Sequence, residues 1–225
     1  RAGGTGILDL TTPGDGAGLV QTLAARGVRV WWLRPGPAVA PADLAGAASA
    51  PAAVVLSPAG HDQASFTALV DAWSAVAADV VAQVVSRAEG ELARAAGASG
   101  LLASGCEAGG RVGDTEAFIL FQQLVDLGLP VWARGDIGLH TAAAVVAGGG
   151  AGVLLDVQLG LTREAGLPAD VRRALEAMDG SETRVVGGHR FYTRPDLPAA
   201  SLPEGTRAAE VASFLGAELR RSLVP

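Results

Sequence analysis

The residue types best suited to chemistry lie in one segment near the middle of the chain, Gly105–Asp114, in which four of ten residues are glycine. This glycine segment carries a thiol at Cys106, a carboxylate at Glu107 and a guanidinium at Arg111. It directly follows a short apolar run that predicts a buried strand. In parallel α/β folds ligands bind beyond the carboxyl ends of strands, and glycines there let backbone amides approach them. We therefore predict that the functional site lies on this segment.

Two features of the composition limit that chemistry. Cys106 is the only cysteine, so the chain has no internal disulfide, and no histidine lies near it in the sequence to activate the thiol. We interpret Cys106 as a small packing residue, with a nucleophile as the alternative. All 17 basic residues are arginine, which excludes Schiff-base and lysine-base catalysis.

Charge and hydropathy exclude further classes of protein. With 49% apolar residues, 18% charged residues and a net charge of −6, the chain is a poor partner for nucleic acid. No apolar run reaches the roughly 18–20 residues of a membrane span, and no signal-peptide pattern is visible, so we expect a cytoplasmic protein without a membrane segment. The three histidines, His61, His140 and His189, lack metal-ligand spacing, so no metal site is expected.

Short β-branched runs alternate with longer helical patterns at a period of about 25 residues, which is typical of βα units and a parallel sheet. Seven strands are one fewer than a closed barrel has. We therefore predict an α/β fold of the TIM-type (β/α)₈ barrel, with the first βα unit lying ahead of Arg1; an open doubly wound sheet is the alternative. The predicted strands are Thr5–Leu10, Val28–Leu33, Ala53–Leu56, Asp79–Val85, Leu101–Ser104, Pro130–Ala133 and Ala151–Leu155.

Helical periodicity and capping residues set the predicted helices. Ser86 is predicted to be an N-cap, with Glu89 completing a capping box, and Asp114 is predicted to cap the helix after the glycine segment. Apolar residues at helical spacing, from Phe66 to Val76, predict a core-facing stripe. The predicted helices are Leu19–Arg26, Pro41–Ala48, Gln63–Ala77, Arg87–Ala96, Thr115–Leu127, Leu139–Ala147 and Asp170–Met178.

The last third of the chain departs from the βα pattern. We assign residues 1–165 to the barrel body and residues 166–225 to a C-terminal helical and irregular extension of the same domain. Within it, 185–192 is interpreted as irregular, and Arg194–Pro198 as a rigid exit segment suited to a linker. Gly187–Arg190 has the glycine-rich composition of a phosphate loop, but no helix follows it, so the pattern indicates anion binding only weakly.

Four motifs occur in a register that resembles the nitronate monooxygenases, formerly called 2-nitropropane dioxygenases. They are Ala2–Leu8, Gly105–Gly110, Ala133–Ile137 and Gly149–Val153. That family shares a flavin barrel with the bacterial FMN-type enoyl-acyl-carrier-protein reductases, and the resemblance covers residues 1–160. It implies FMN, with the flavin phosphate held after the sixth and seventh predicted strands. The implied cofactor-binding positions are Gly109, Gly110, Gly135, Asp136, Gly152 and Asp156.

Three positions depart from the pattern of that family. Its catalytic histidine directly follows the glycine pair, where this chain has Arg111, which stays protonated and cannot act as a general base. Asp136 and Asp156 stand where the family keeps the residues of its phosphate turns. A carboxylate about 4 Å from a phosphate costs on the order of 4 kcal/mol, which disfavours tight FMN binding. One hypothesis pairs Arg111 and Arg134 with these two carboxylates.

Two functions remain open. The first is a degenerate nitronate-monooxygenase or enoyl-reductase-like barrel domain with a structural or docking role in a larger protein of the polyketide or fatty-acid synthase type. The alternative is an FMN-dependent oxidoreductase of acyl thioesters or nitronates with an altered phosphate site. The candidate catalytic residues are Arg111 and Glu107, although a carboxylate such as Glu107 also suits a helix cap. The expected partners are other domains of the same polypeptide, an acyl carrier protein and a second copy in a homodimer.

Overall fold

A computed structural model describes residues 4–11, 16–28, 30–36, 39–44, 50–155, 159–179, 182–192, 201–203, 205–206 and 210. Strands and helices alternate along most of this length. The main sheet has seven parallel strands, in the order β1-β2-β3-β4-β5-β7-β8. This arrangement confirms the predicted α/β fold of the TIM-barrel type.

All seven predicted strands are present. Their neighbours in the sheet follow the order of the chain, apart from β6, which belongs to a second, smaller sheet. The bounds are β1 (Gly6–Asp9), β2 (Trp31–Arg34), β3 (Ala53–Leu56), β4 (Asp79–Val84), β5 (Gly100–Ser104), β6 (Gly110–Arg111), β7 (Val131–Arg134), β8 (Gly152–Leu154), β9 (Thr183–Val186) and β10 (His189–Tyr192).

The helices also lie close to their predicted places. Short 3-10 turns cover Pro41–Leu44, Val125–Leu127 and Arg163–Ala165; the rest of the helix predicted at Pro41–Ala48 lies outside the described residues. The α-helices are α1 (Gly16–Ala25), α2 (Gln63–Ser74), α3 (Arg87–Ala95), α4 (Ala117–Leu124), α5 (Leu139–Ala147) and α6 (Ala169–Glu176). None of the helices in the described ranges is long and apolar enough to cross a membrane.

The chain divides into two compact units. The first contains residues 1–102 and 123–131, and the second contains residues 103–122 and 132–225. Strands β5 and β7 contribute residues to both. The domain boundary predicted at residue 165 stays a prediction.

The core of the first unit is built on α2 and the strands beneath it. Phe66, Val70 and Trp73 form the buried stripe of α2, as the helical spacing predicted, and Phe66 is completely buried. Helix α3 approaches the chain at 124–127 through Gly90, where a Cβ would contact Leu124. The N-cap predicted at Ser86 is confirmed, since its Oγ accepts from the Glu89 amide at 3.3 Å.

The second unit contains the glycine segment and a small antiparallel sheet, in the order β6-β10-β9. Strands β9 and β10 form a hairpin, so the interpretation of 185–192 as irregular is wrong. Gly187 and Gly188, both with positive φ (55° and 72°), make its two-residue turn. Such a turn matches the twist of the flanking strands, which is why Gly-Gly between β-branched and aromatic residues indicates a hairpin.

The predicted start of β2 at Val28 is also wrong. The Val28 amide donates to the Leu23 carbonyl oxygen at 3.1 Å, so Val28 ends the turn after α1 and does not join the sheet. Val30 is largely exposed, and the strand begins only at Trp31, which is buried. The β-branched residue Val28, which follows the end of α1, was therefore wrongly assigned to the start of a strand.

We expect Phe66→Ala to lower the free energy of unfolding by about 3–5 kcal/mol, because it leaves a cavity in a fully packed site. Leu69→Ala, at a half-buried position of the same helix, is the control and should cost clearly less. Urea unfolding followed by circular dichroism measures both. Equal losses for the two variants would contradict the assigned core face of α2.

Candidate functional site

The glycine segment closes on itself directly beyond β5. The Gly105 amide donates to the Arg134 carbonyl oxygen at 2.9 Å, and the Cys106 amide donates to the Thr115 carbonyl oxygen at 2.8 Å. A further bond, from the Ala108 amide to the Gly105 carbonyl oxygen at 3.0 Å, tightens the turn. The sequence therefore located a real loop at the carboxyl end of a strand, and its backbone is held at both ends.

Glu107 caps helix α4. Its two carboxylate oxygens accept from the Ala117 amide at 3.1 and 3.0 Å. They give a hydrogen-bond acceptor to an N–H group at the helix N-terminus that has no partner within the helix. Asp114 was predicted to do this, and that prediction is wrong because α4 begins three residues later, at Ala117. The structural role considered for Glu107 is thus observed; a catalytic role stays a prediction.

Gly105 makes room for this cap. A Cβ at residue 105 would overlap the Ala117 amide and the Glu107 carboxylate. The glycine is therefore required by a close approach between the strand end and the helix start. The sequence pointed to this residue for a different reason, the approach of a ligand.

Arg134, at the end of β7, is buried with 7% of its surface exposed. Its Nη1 donates to the Ser104 hydroxyl at 3.0 Å, and its Nη2 donates to the Gly109 carbonyl oxygen at 2.8 Å. A buried guanidinium needs such partners, because an unpaired buried charge is strongly unfavourable. Within the described residues no ion pair joins Asp136 to Arg134 or Arg111, so that part of the pairing hypothesis is wrong. Asp156 lies outside the described residues.

Arg190, on β10, holds the glycine segment from the hairpin. Its Nε donates to the Cys106 carbonyl oxygen at 2.6 Å and its Nη1 to the Thr183 hydroxyl at 2.8 Å. The sequence analysis named Arg190 only as part of a weak anion-binding pattern and missed its contact with the glycine segment. The Gly187-Gly188 turn was the available signal, since a hairpin there places Arg190 on a regular strand, but nothing local indicated that the strand pairs with Gly110.

Arg111 lies on β6, directly opposite His189 of β10. It is half-buried. Beside it, a Cβ added at Gly109 or Gly110 would meet no described atom within 4 Å, so the surface over the glycine pair is open. The structure thus leaves the surface beside two of the predicted site residues, Gly109 and Gly110, uncovered by described atoms.

The Cys106 thiol is held in its protonated form. Partial burial raises its pKa above the usual range, and the neighbouring Glu107 carboxylate raises it further. A raised pKa lowers the thiolate fraction at neutral pH, and the thiolate is the nucleophile. This supports the interpretation of Cys106 as a packing residue.

The Gly135-Asp136 turn keeps an unusual backbone. Asp136 is exposed and has a φ of +42°, and it is the only non-glycine residue with positive φ in the described part of the chain. Gly135 approaches the glycine segment, since a Cβ there would lie 3.0 Å from the Ala108 amide nitrogen. Gly152, on β8, lies against the Trp132 ring. Across the described ranges, no group of three His, Cys, Asp or Glu side chains could hold a metal ion.

We expect Gly105→Ala to destabilise the protein by about 3 kcal/mol or more, since the added methyl group overlaps backbone and displaces the Glu107 cap. Gly109→Ala is the matched control, because its Cβ has open space. Thermal unfolding compares the two. Similar melting temperatures would show that the close approach at residue 105 is not required.

At residue 136 we expect the Gly variant to be more stable than the Ala variant by about 1–2 kcal/mol, because alanine pays the steric cost of the left-handed conformation and glycine does not. Asp71 is exposed in the middle of α2, and there we expect the opposite order of stability. The Ala variant at residue 71 should be more stable than the Gly variant by about 1 kcal/mol. Urea unfolding of the four variants tests this. The same order at both positions would contradict the assigned backbone.

Two solved structures share this fold at low sequence identity. FabK from Thermotoga maritima is 21% identical with a TM-score of 0.61, and the match covers 97% of this chain and 64% of that one. Nitroalkane oxidase from Streptomyces ansochromogenes is 22% identical with a TM-score of 0.61, and the match covers 96% and 69%.

Comparison by sequence is less informative. No protein-family model and no curated protein matches the chain. The chain spans less than two thirds of the FabK length. At these identities the likeness establishes the fold alone: this chain has the α/β barrel-type fold of FabK and nitroalkane oxidase.

Proposed function

We propose that this chain is a catalytically silent flavin-barrel domain that serves as a structural or docking module in a larger protein. One observation carries the proposal: three charged side chains around the glycine segment bond to the backbone of that segment or of helix α4, which follows it. Glu107 accepts from the Ala117 amide, Arg134 donates to the Gly109 carbonyl and Arg190 donates to the Cys106 carbonyl. Groups used in this way stabilise the loop and are poorly placed to act on a substrate.

The proton-transfer chemistry of the resembled family has no obvious agent here. Arg111 stands at the position of its catalytic histidine, and a guanidinium does not give up a proton at working pH. The Cys106 thiol is no substitute, because its pKa is raised. These two side chains therefore favour a binding or structural role over general-base catalysis.

The described residues also fit FMN poorly. In the resembled family, backbone amides of this turn meet the flavin phosphate, whereas here the turn carries the exposed Asp136 carboxylate. A carboxylate close to a phosphate dianion is repelled in any medium, and burial of the pair increases the repulsion. No catalytic step through a flavin is therefore assigned to this chain.

The proposed setting is a polyketide or fatty-acid synthase type of protein in the cytoplasm, with neighbouring domains, an acyl carrier protein and a second copy of the chain as partners. Helix α5 supports a protein-facing surface. It has no charged residue, and Leu139 and Val146 on it are 82% and 61% exposed. Exposed apolar surface of this kind is typical of sites that contact other proteins.

The alternative is an active FMN-dependent oxidoreductase with an altered phosphate site. The retained backbone favours it: Gly135 and Asp136 both have positive φ, and the surface over Gly109 is open. In this case the turn would accept a phosphate once the negative charge of the Asp136 carboxylate is compensated. Flavin binding separates the two functions.

We expect the purified chain to be colourless and to bind no FMN in a titration followed by flavin fluorescence. The triple variant Arg111→His, Asp136→Gly, Asp156→Gly should gain measurable affinity, because it removes both carboxylates from the phosphate turns. Arg111→His alone is the control and should gain none. A near-stoichiometric flavin spectrum in the unmodified chain would overturn the silent-module proposal. No gain in the triple variant would instead assign the loss to backbone geometry.

A further inference from the structure

Helix α5 has an apolar face that the rest of the described chain leaves exposed. Its sequence contains no charged residue, and Val145 is its one buried side chain. At about 100° per residue, four exposed side chains share one side of the helix, and we call them the α5 face: Leu139, Ala143, Val146 and Ala147. A helix that is apolar all round is normally buried, so the α5 face has the character of a contact surface.

The end of the chain carries a second apolar face in its sequence. Apolar residues recur at every fourth position after Glu210, which predicts an amphipathic helix: Val211, Leu215, Leu219 and Leu223. The charges of Glu210, Arg220 and Arg221 fall on the opposite side, with Glu218 at the border. Glu210 is the last residue that the structure describes, and it is helical and exposed, in agreement with this pattern. We call residues 211–223 the C-terminal segment.

The two faces are connected by a chain of suitable length. Helix α5 and the C-terminal segment both belong to the second compact unit. Residues 193–209, which join β10 to Glu210, can span up to about 55 Å, against a radius of gyration of about 13 Å for a unit of ~100 residues. Two surfaces joined in this way meet at an effective concentration in the millimolar range. The segment therefore has an advantage over any free partner of the same affinity.

The side chains of the two faces are complementary in shape and polarity. On α5 the larger residues Leu139 and Val146 lie about two turns apart with Ala143 between them, which leaves a shallow groove. Leucines at every fourth position form the kind of row that packs into such a groove. Because the α5 face has no charged residue, covering it removes no ion from water, and the gain from apolar burial is kept.

We propose that the C-terminal segment forms a helix that packs Val211, Leu215 and Leu219 on the α5 face of the same molecule. The contact covers apolar surface that the other described residues leave exposed. It goes beyond the proposed docking role, because a partner protein that docks on α5 has to displace the segment first. The contact does not depend on flavin binding or on the absence of catalysis, so it can fail while the silent-module proposal stands.

A spin label tests whether the segment lies on α5. The variant Cys106→Ser, Ala217→Cys has one thiol, on the polar side of the segment and away from the proposed contact. We expect a nitroxide there to broaden the amide signals of α5 in the ¹⁵N-labelled whole chain, relative to the same sample after reduction with ascorbate. In a mixture of ¹⁵N-labelled chain without nitroxide and unlabelled chain with it, those signals should stay sharp. Broadening in the mixture would assign the α5 face to a second copy, and no broadening in either sample would place the segment elsewhere; both results overturn the proposal.

Substitutions in the two faces test the contact itself. Val146→Asp puts a charge on the α5 face, so trypsin cleavage after Arg220 and Arg221, followed by mass spectrometry, should become at least about tenfold faster and the nitroxide effect should vanish. Leu215→Asp, on the segment, should give the same result. Leu19→Asp, at an exposed leucine of α1, is the matched control and should change neither measurement. Overlay of the amide spectra verifies that each variant is folded. Equal cleavage rates in the three variants would overturn the proposal.

Discussion

The buried guanidinium of Arg134 is the interaction on which the candidate site depends. It joins the end of β5, through the Ser104 hydroxyl, to the far side of the glycine segment, through the Gly109 carbonyl. A charge buried this deeply needs hydrogen-bond partners, and a movement of the loop away from β7 would break the bond to the Gly109 carbonyl. The hydrogen bond from Arg134 therefore stabilises the closed arrangement of the glycine segment, together with the contacts of Glu107 and Arg190.

Three charged side chains, one each from the loop itself, β7 and β10, converge on this loop. Glu107 accepts from the first amide of α4. Arg134 donates to the Gly109 carbonyl oxygen, and Arg190 donates to the Cys106 carbonyl oxygen. Each makes a charge-assisted hydrogen bond to backbone, which is about twice as strong as a neutral one. Glutamate and arginine are residue types that often act in catalysis, but here their side chains hold the backbone of the loop. Residue type alone is therefore a poor guide to function at this site.

The sequence predicted most of the fold and only part of the site. Seven strands and their helices follow from hydrophobic periodicity, which is local, and the buried face of α2 follows from the spacing of Phe66, Val70 and Trp73. The roles of Arg134 and Arg190 depend on contacts between residues 25 and 84 positions apart. No local pattern encodes such partners. Charge complementarity suggested carboxylates for Arg134, and the structure adds a backbone carbonyl and a hydroxyl as partners that no local pattern indicates.

The conformation of Asp136 bears on the charge that this turn can carry. A left-handed φ of +42° is what glycine adopts freely and what aspartate adopts at a modest steric cost. A cost of about 1 kcal/mol is small against the stability of a folded domain, so this backbone tolerates aspartate where glycine would be unstrained. Exchange between glycine and aspartate at such a position changes the charge of a binding surface while the main chain stays in place.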